Sequence, residues 1–180
     1  EAHRTNLLYG TIAVVFLLVA IAGIVWKTNI IPKTATAATI NGESYSAAQV
    51  NYYYQNAYQS FLNQNYSILS MIGLDTSSSL KNQTISSTAT MVVPDATEGE
   101  SWHDYFLTQA LDQMAGTQAL LDAAEADGFT WTDELQAELD STMETLESTA
   151  ATYGYTGTQY LGLVYGSTVS KSLYEQETQR

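Results

Sequence analysis

The chain has 180 residues, 45% of them apolar, with two Pro and eleven Gly, enough for one domain plus an accessory segment and biased towards helices over a turn-dense sheet. Six Lys and Arg against nineteen Asp and Glu give a formal net charge of −13, which excludes nucleic acid as a partner, because that binding is driven by basic side chains releasing counterions from phosphate. The absence of Cys excludes disulfides, thiolate catalysis, iron–sulfur clusters and Cys-ligated zinc.

From Leu7 to Trp26 the sequence LLYGTIAVVFLLVAIAGIVW carries no charge. At 1.5 Å per residue it matches a hydrocarbon core of roughly 30 Å and predicts a transmembrane helix through the lipid bilayer. Tyr9 and Trp26 sit where interfacial aromatics are expected, and Arg4 and Lys27 bracket the span. Ala35-Thr36-Ala37 resembles a signal-peptide cleavage site but lies well beyond the apolar stretch, so residues 1–27 read as an uncleaved signal anchor. One Arg before the span and two Lys after it do not orient the helix, since a long acidic domain can be translocated against so small a difference. The lack of Cys suits an exported domain, and the expected location is the cell membrane, single-pass, with the C-terminal part extracytoplasmic.

Residues 28–38, with Pro32, read as a linker, and 39–180 as a helical domain. Thr39-Ile40-Asn41-Gly42-Glu43 predicts at most one very short strand and a turn. Ser46 can cap a long helix in which Val50, Tyr53, Tyr54, Ala57, Phe61 and Ile68 share one face, predicted to be core. Tyr52, Leu62 and Tyr66 project from other sides of that helix. Gly73 to Ser101 is polar and without helical spacing, and is predicted to be a long irregular connection or insertion. Ser101 caps a second helix with the apolar series Trp102, Phe106, Ala110, Met114 and Leu121, ending at Gly128. Thr132 opens a third, in which Trp131, Leu135, Leu139, Met143, Leu146, Ala150 and Tyr153 keep core spacing until Gly154. A short helix through Tyr160, Leu161 and Val164, a turn at Gly166 and a final helix opening near Thr168 complete the pattern. Arg180 falls within that last helical pattern, and Glu1 is not an initiator, so the chain reads as a piece of a longer polypeptide.

No constellation for catalysis stands out. His3 and His103 are too few for a histidine-rich metal site, and His103 at a helix start reads as a surface or capping residue. Ser78-Ser79-Leu80-Lys81 matches S-x-x-K but lacks the companion S-D-N and K-T-G motifs. Asp95 to Glu100 lacks the order of a calcium loop, and the carboxylates of the third helix lie along one polar face. Asn65-Tyr66-Ser67 and Asn82-Gln83-Thr84 are glycosylation sequons, meaningful only in a pathway that glycosylates. No catalytic residue, metal or cofactor is therefore assigned.

The order of segments carries a likeness that no single motif does: Thr39-Ile40-Asn41-Gly42-Glu43 before a long helix, Gly73-Leu74-Asp75-Thr76 after it, Ser101-Trp102-His103-Asp104-Tyr105-Phe106 opening the next, Ala124 to Thr130 between helices, and Tyr160 to Gly166 before the last. In this order, residues 38–180 resemble the N-terminal helical region of SurA-like and PrsA-like extracytoplasmic foldases. The resemblance implies a mainly α fold, a transmembrane helix followed by a small multi-helix chaperone domain, which holds unfolded or newly exported polypeptides. It supplies no active site: peptidyl-prolyl isomerase activity would require a parvulin domain in sequence after Arg180. The client-binding candidates are Tyr52, Leu62 and Tyr66, since tyrosine offers broad contact area at small entropic cost. The alternative is a structural or accessory subunit that docks on a membrane complex.

Overall fold

In the computed structural model, which describes residues 33–180, the chain enters the fold through a hairpin. Strand β1 (Thr36–Ile40) pairs antiparallel with β2 (Glu43–Ser46), with a bulge between Thr36 and Ala38. Asn41 and Gly42 connect them, both at positive φ (52° and 90°) as a two-residue hairpin turn requires, and Asn-Gly is the pair that tolerates it best. The expected single short strand is thus two, because the polar TAATI segment finds a partner across the turn. The domain accordingly begins at Thr36, within the predicted linker. The predicted span Leu7–Trp26, like residues 1–27 as a whole, lies outside the described residues. Among the described residues no helix is long and apolar enough to cross a membrane.

Helix α1 (Ala47–Asn65) starts directly from β2. Ser46 Oγ accepts from the Gln49 N–H while the Gln49 side chain accepts from the Ser46 N–H, a reciprocal capping box. A 3-10 turn (Tyr66–Ile68) ends the helix earlier than the apolar spacing predicts. A second 3-10 turn (Leu80–Asn82) and the single-turn helix α2 (Ser87–Thr90) follow, then α3 (Trp102–Ala126), α4 (Asp133–Thr152), α5 (Gly157–Tyr165) and α6 (Lys171–Gln179). The side chains of Ser101, Thr132, Thr156 and Ser170 cap the last four.

The main contact is α1 against α3. Phe106 is fully buried between them, its ring edge-on to Tyr58 (5.2 Å) and Phe61 (5.2 Å) and stacked with Trp102 (5.9 Å). Segment 73–101 is largely irregular, as its sequence predicts, and it is packed against the core. Its Leu74, Ile85, Ala89 and Val93 are buried against Trp102 and Phe106, and backbone bonds from Ile85 N–H to Glu100 O (2.8 Å) and from Trp102 N–H to Gln83 O (3.0 Å) pin it to the start of α3. A second cluster, Tyr45, Tyr53, Ala110 and Met114, seats the hairpin on both helices. A third, Leu139, Met143, Leu146 and Leu161, joins α4 to α5.

Helices α5 and α6 then return to α1. Asn51 Nδ2 donates to Tyr165 O (2.7 Å) and Thr168 Oγ1 (2.8 Å), and the Tyr165 hydroxyl donates to Asn56 Oδ1 (3.1 Å). Glu147, on the polar face of α4, accepts from the Gly157 N–H at the start of α5 (2.9 Å) and from Lys171 at the start of α6, so one carboxylate ties three helices.

The two tryptophans that share core spacing in the sequence part company here. Trp102 is 0% exposed, whereas Trp131 precedes α4 and is 39% exposed. Tyr153, at the other end of that series, is exposed as well. Trp102→Ala is expected to cost about 3 to 5 kcal/mol and Trp131→Ala less than about 1 kcal/mol. Urea melts of the two variants, followed by circular dichroism, check this, and equal losses would put Trp131 back in the core.

Candidate functional site

The three residues that the sequence nominates for client binding do not come together. Tyr52 is half-buried in an aromatic stack, 5.1 Å from Tyr165 and 6.1 Å from Tyr174, with only its outer side bordering a shallow depression. Burial raises its phenol pKa above the ordinary value. Leu62 packs against the Trp102 and Phe106 cluster and fills core volume. Tyr66 is 82% exposed but stands in the 3-10 turn beyond α1, away from both.

The other sequence motifs have structural uses. The Ser78 hydroxyl donates to Asp75 Oδ2 (2.6 Å) and the Ser77 hydroxyl to Asp75 Oδ1 (2.6 Å); these bonds to the charged form hold the Asp75 carboxyl down to about 2. No bond links Ser78 to Lys81, so S-x-x-K forms a turn and not a nucleophile with its base. His103 lies beside Asp104 Oδ1 (3.0 Å) and against the Tyr54 ring (5.5 Å). The Asn65 amide of the first sequon donates to Phe61 O (3.0 Å). Among the described residues no group of three or more His, Asp and Glu is placed to hold a metal ion.

What the structure does build is an open apolar cleft of about 480 Å³ where the end of α3, the turn into α4 and the end of α6 meet. Leu120, Leu121 and Ala124 come from α3, Phe129 and Trp131 from the turn, and Leu135 from α4. Leu120 is 74% and Phe129 58% exposed, large values for side chains that gather on one surface. The turn is stiffened by the bond from Phe129 N–H to Ala124 O (2.9 Å), and Trp131 Nε1 donates to Gln136 Oε1 (3.1 Å), which orients the indole. The sequence signal was the pair Leu120-Leu121 together with Phe129 and Trp131 around a helix break; Leu120 falls outside the core series of α3.

Arg180 closes one side of the cleft, held by a polar network beneath it. Its guanidinium donates to the Tyr45 hydroxyl (2.8 Å) and Gln118 Oε1 (2.7 Å), lies over the Tyr45 ring (5.3 Å), and places Nε 3.5 Å from Glu177 Oε2. Glu177 is 6% exposed and accepts from Gln49 Nε2 (2.8 Å) and the Tyr53 hydroxyl (3.0 Å). A carboxylate on α6 thus joins α1 to the cleft wall.

Comparison of the chain with protein-family models, with characterised proteins and with solved structures gives no match.

Glu177→Ala strips Gln49 and Tyr53 of their shared acceptor and Arg180 of its ion-pair partner, and is expected to cost about 3 kcal/mol and to expose the amides of α6 to exchange before the rest of the domain. Hydrogen exchange with urea melts checks it, and uniform protection of α6 in the variant would show that the network does not dock the helix.

Burial, reinforced by the Glu177 charge, pushes the Tyr53 phenol up to about 12; burial with Tyr58 and Asp104 does the same for Tyr54. Raised phenol values mean that the folded state keeps protons which the unfolded chain loses above about pH 10. The stabilisation is therefore complete below that pH and is lost as pH rises towards 12. Ultraviolet titration of tyrosine ionisation alongside circular dichroism is expected to show both phenols ionising together with loss of helix; ionisation near 10 in a folded domain would contradict their burial.

Proposed function

We propose that residues 36–180 form an extracytoplasmic module that holds unfolded or newly exported polypeptides, tethered to the membrane by the segment Leu7–Trp26. The observation that carries this reading is the cleft of Leu120, Phe129, Trp131 and Leu135, a solvent-open apolar surface on a strongly acidic domain, with Leu120, Phe129 and Trp131 all exposed. Contiguous exposed apolar surface of this kind marks an interaction site. Its lining mixes aliphatic and aromatic side chains, which suits apolar groups of varied shape better than one defined small ligand. The segment order that resembles SurA-like and PrsA-like foldases supports the same reading. The client surface in this proposal is the cleft, with Tyr52 at its approach, while Leu62 serves the core and Tyr66 stands apart.

The apolar cleft also suits a second reading, an accessory subunit that inserts one apolar element of a membrane complex there. The two differ in promiscuity. The full chain, in detergent micelles, is expected to suppress aggregation of chemically unfolded citrate synthase, and Phe129→Ser with Trp131→Ser is expected to weaken that suppression about tenfold, the loss typical of aromatic anchors. Thermal melts of the double variant should move little, because both side chains are exposed. Full suppression by the double variant would remove the cleft from the client path, and no suppression by the parent chain would hand the site to the docking-subunit reading.

A further inference from the structure

The cleft does not stand alone on α3. A hollow of about 240 Å³ lies between the C-terminal half of α1 and the first half of α3, closed at one end by Pro94 and Asp95. Its rim carries Gln64, Gln109 and Gln113, above Phe61 and Phe106. A shallow depression lined by Gln113, Gly116, Thr117, Leu120 and Arg180 follows. It meets the first hollow at Gln113 and the apolar cleft at Leu120 and Arg180. The α3 residues concerned, Phe106, Gln109, Gln113, Gly116, Thr117, Leu120 and Ala124, recur at intervals of one, three or four, so they occupy one face of the helix.

We infer that these three hollows form one groove along α3 that holds a single extended polypeptide strand bearing basic residues, gripping its backbone at the glutamine end and its apolar side chains at the Trp131 end. The inference rests on the polypeptide-holding reading above and adds to it a binding mode and a charge preference. From Phe106 to Ala124 the helix runs about 27 Å, which an extended strand of about eight residues spans at roughly 3.3 Å each.

The glutamines give the mode. Each carboxamide offers both an acceptor and donors, the complement of a peptide C=O and N–H, and reads no side chain. Among the described residues the side chains of Gln64, Gln109 and Gln113 make no hydrogen bond with the protein, as is also true of Gln55, Gln59, Gln176 and Gln179, so their carboxamides are open to a ligand, whereas those of Gln49, Gln83, Gln118, Gln136 and Gln159 are engaged. Gly116 gives the continuity. Glycine inside a helix is destabilising relative to alanine, and a Cβ placed on Gly116 would meet no atom within 4 Å, so no packing neighbour requires a bare position there. Its effect is to leave the middle of the groove open. The charge follows from the surroundings. Asp95 lines the glutamine end, and the chain as a whole carries a formal net charge of −13. Arg180, the one cation lining the three hollows, is already held by Glu177, Tyr45 and Gln118.

The test uses the full chain in detergent micelles and fluorescein-labelled peptides of about ten residues, matched to the groove at 3.3 Å each. One peptide intersperses lysines among apolar residues, a second carries glutamates instead, and a third is the lysine peptide N-methylated at alternate backbone nitrogens. By fluorescence anisotropy at low salt the lysine peptide is expected to bind at least ~10-fold more tightly than either of the others. Gly116→Trp, which fills open space, is expected to abolish binding while Gly116→Ala keeps it. Gln109→Leu with Gln113→Leu is expected to weaken the lysine peptide about tenfold and to leave the methylated peptide unchanged, as coupled partners do. If Gly116→Trp fails to fold, this glutamine pair decides. Equal binding of plain and methylated peptides, or undiminished binding to a folded Gly116→Trp variant, would overturn the groove while leaving the Phe129- and Trp131-dependent suppression of aggregation to be judged separately. Loss of that suppression as well would remove both readings.

Discussion

The packing of α1 on α3 around Phe106 is the contact on which every other element is built. Phe106 meets the rings of Tyr54, Tyr58, Phe61, Trp102 and Tyr105, so five aromatic neighbours from two helices converge on one side chain. Edge-to-face and offset arrangements of this kind add about 0.5–1.5 kcal/mol per pair beyond area burial and are directional. They therefore set the angle between the helices as well as their affinity. The price is an orphaned donor: Trp102 Nε1 is buried with no acceptor among the described residues. An indole retained there despite that cost is retained for shape, and the 73–101 segment supplies the matching surface with Leu74, Ile85 and Val93.

With one face of α1 committed to α3, its other side is free to receive α5 and α6, and that second contact adds a polar set to the stacked rings of Tyr52, Tyr165 and Tyr174. Asn51, Asn56, Gln49 and Tyr53 make it through hydrogen bonds, with Glu177 and Arg180 as the charged pair. A buried ionic network adds little net stability compared with an apolar core, but it is intolerant of misregister, because a slip of one residue strands a charge. The helix that bears Arg180 is thus located by polar geometry, and Arg180 forms a wall of the apolar cleft. The cleft's shape depends on a network that lies mostly beneath it.

Much of this was readable from local signals. Helix starts were set by Ser46 with Gln49, Ser101 and Thr132, and the stops at Gly128, Gly154 and Gly166 fall where the sequence placed them. These depend on a few neighbouring residues and need no tertiary partner. The core faces held as well at Tyr53 and Ala57, at Trp102, Phe106, Ala110 and Met114, and at Leu139, Met143, Leu146 and Ala150, all of them buried; what failed lay at the ends and edges of those faces. Trp131 and Tyr153 keep the core period of α4, yet both stay exposed at its ends, Trp131 bordering the open cleft and Tyr153 stacked on Tyr160; periodicity reports a face, not how far it is covered. The reverse error lies in 73–101, whose four buried apolar residues are spaced by a path that is neither helix nor strand, so that no period reveals them. Tyr52 and Leu62 were set apart for lying off the main apolar face of α1, but a helix packed on two sides has two interior faces. The missed cleft is the same error inverted, since Leu120 and Phe129 become a site only when α3, α4 and α6 are placed together.

The charge and the cleft belong to one argument. A protein that leaves Leu120, Phe129 and Trp131 open to water risks pairing those surfaces with copies of itself, and that risk grows with every apolar group a binding site adds. A net charge of −13 opposes it, since two such domains repel before their clefts can meet. In the proposed reading the same field would draw in a cationic strand, so one property of the composition would lower self-association and raise encounter with a client of opposite sign. The repulsion is long-ranged and screened by salt, whereas the apolar contact is short-ranged and is not. For the proposed groove, ionic strength would therefore weigh on self-repulsion and client attraction alike, while leaving the apolar contact itself unchanged.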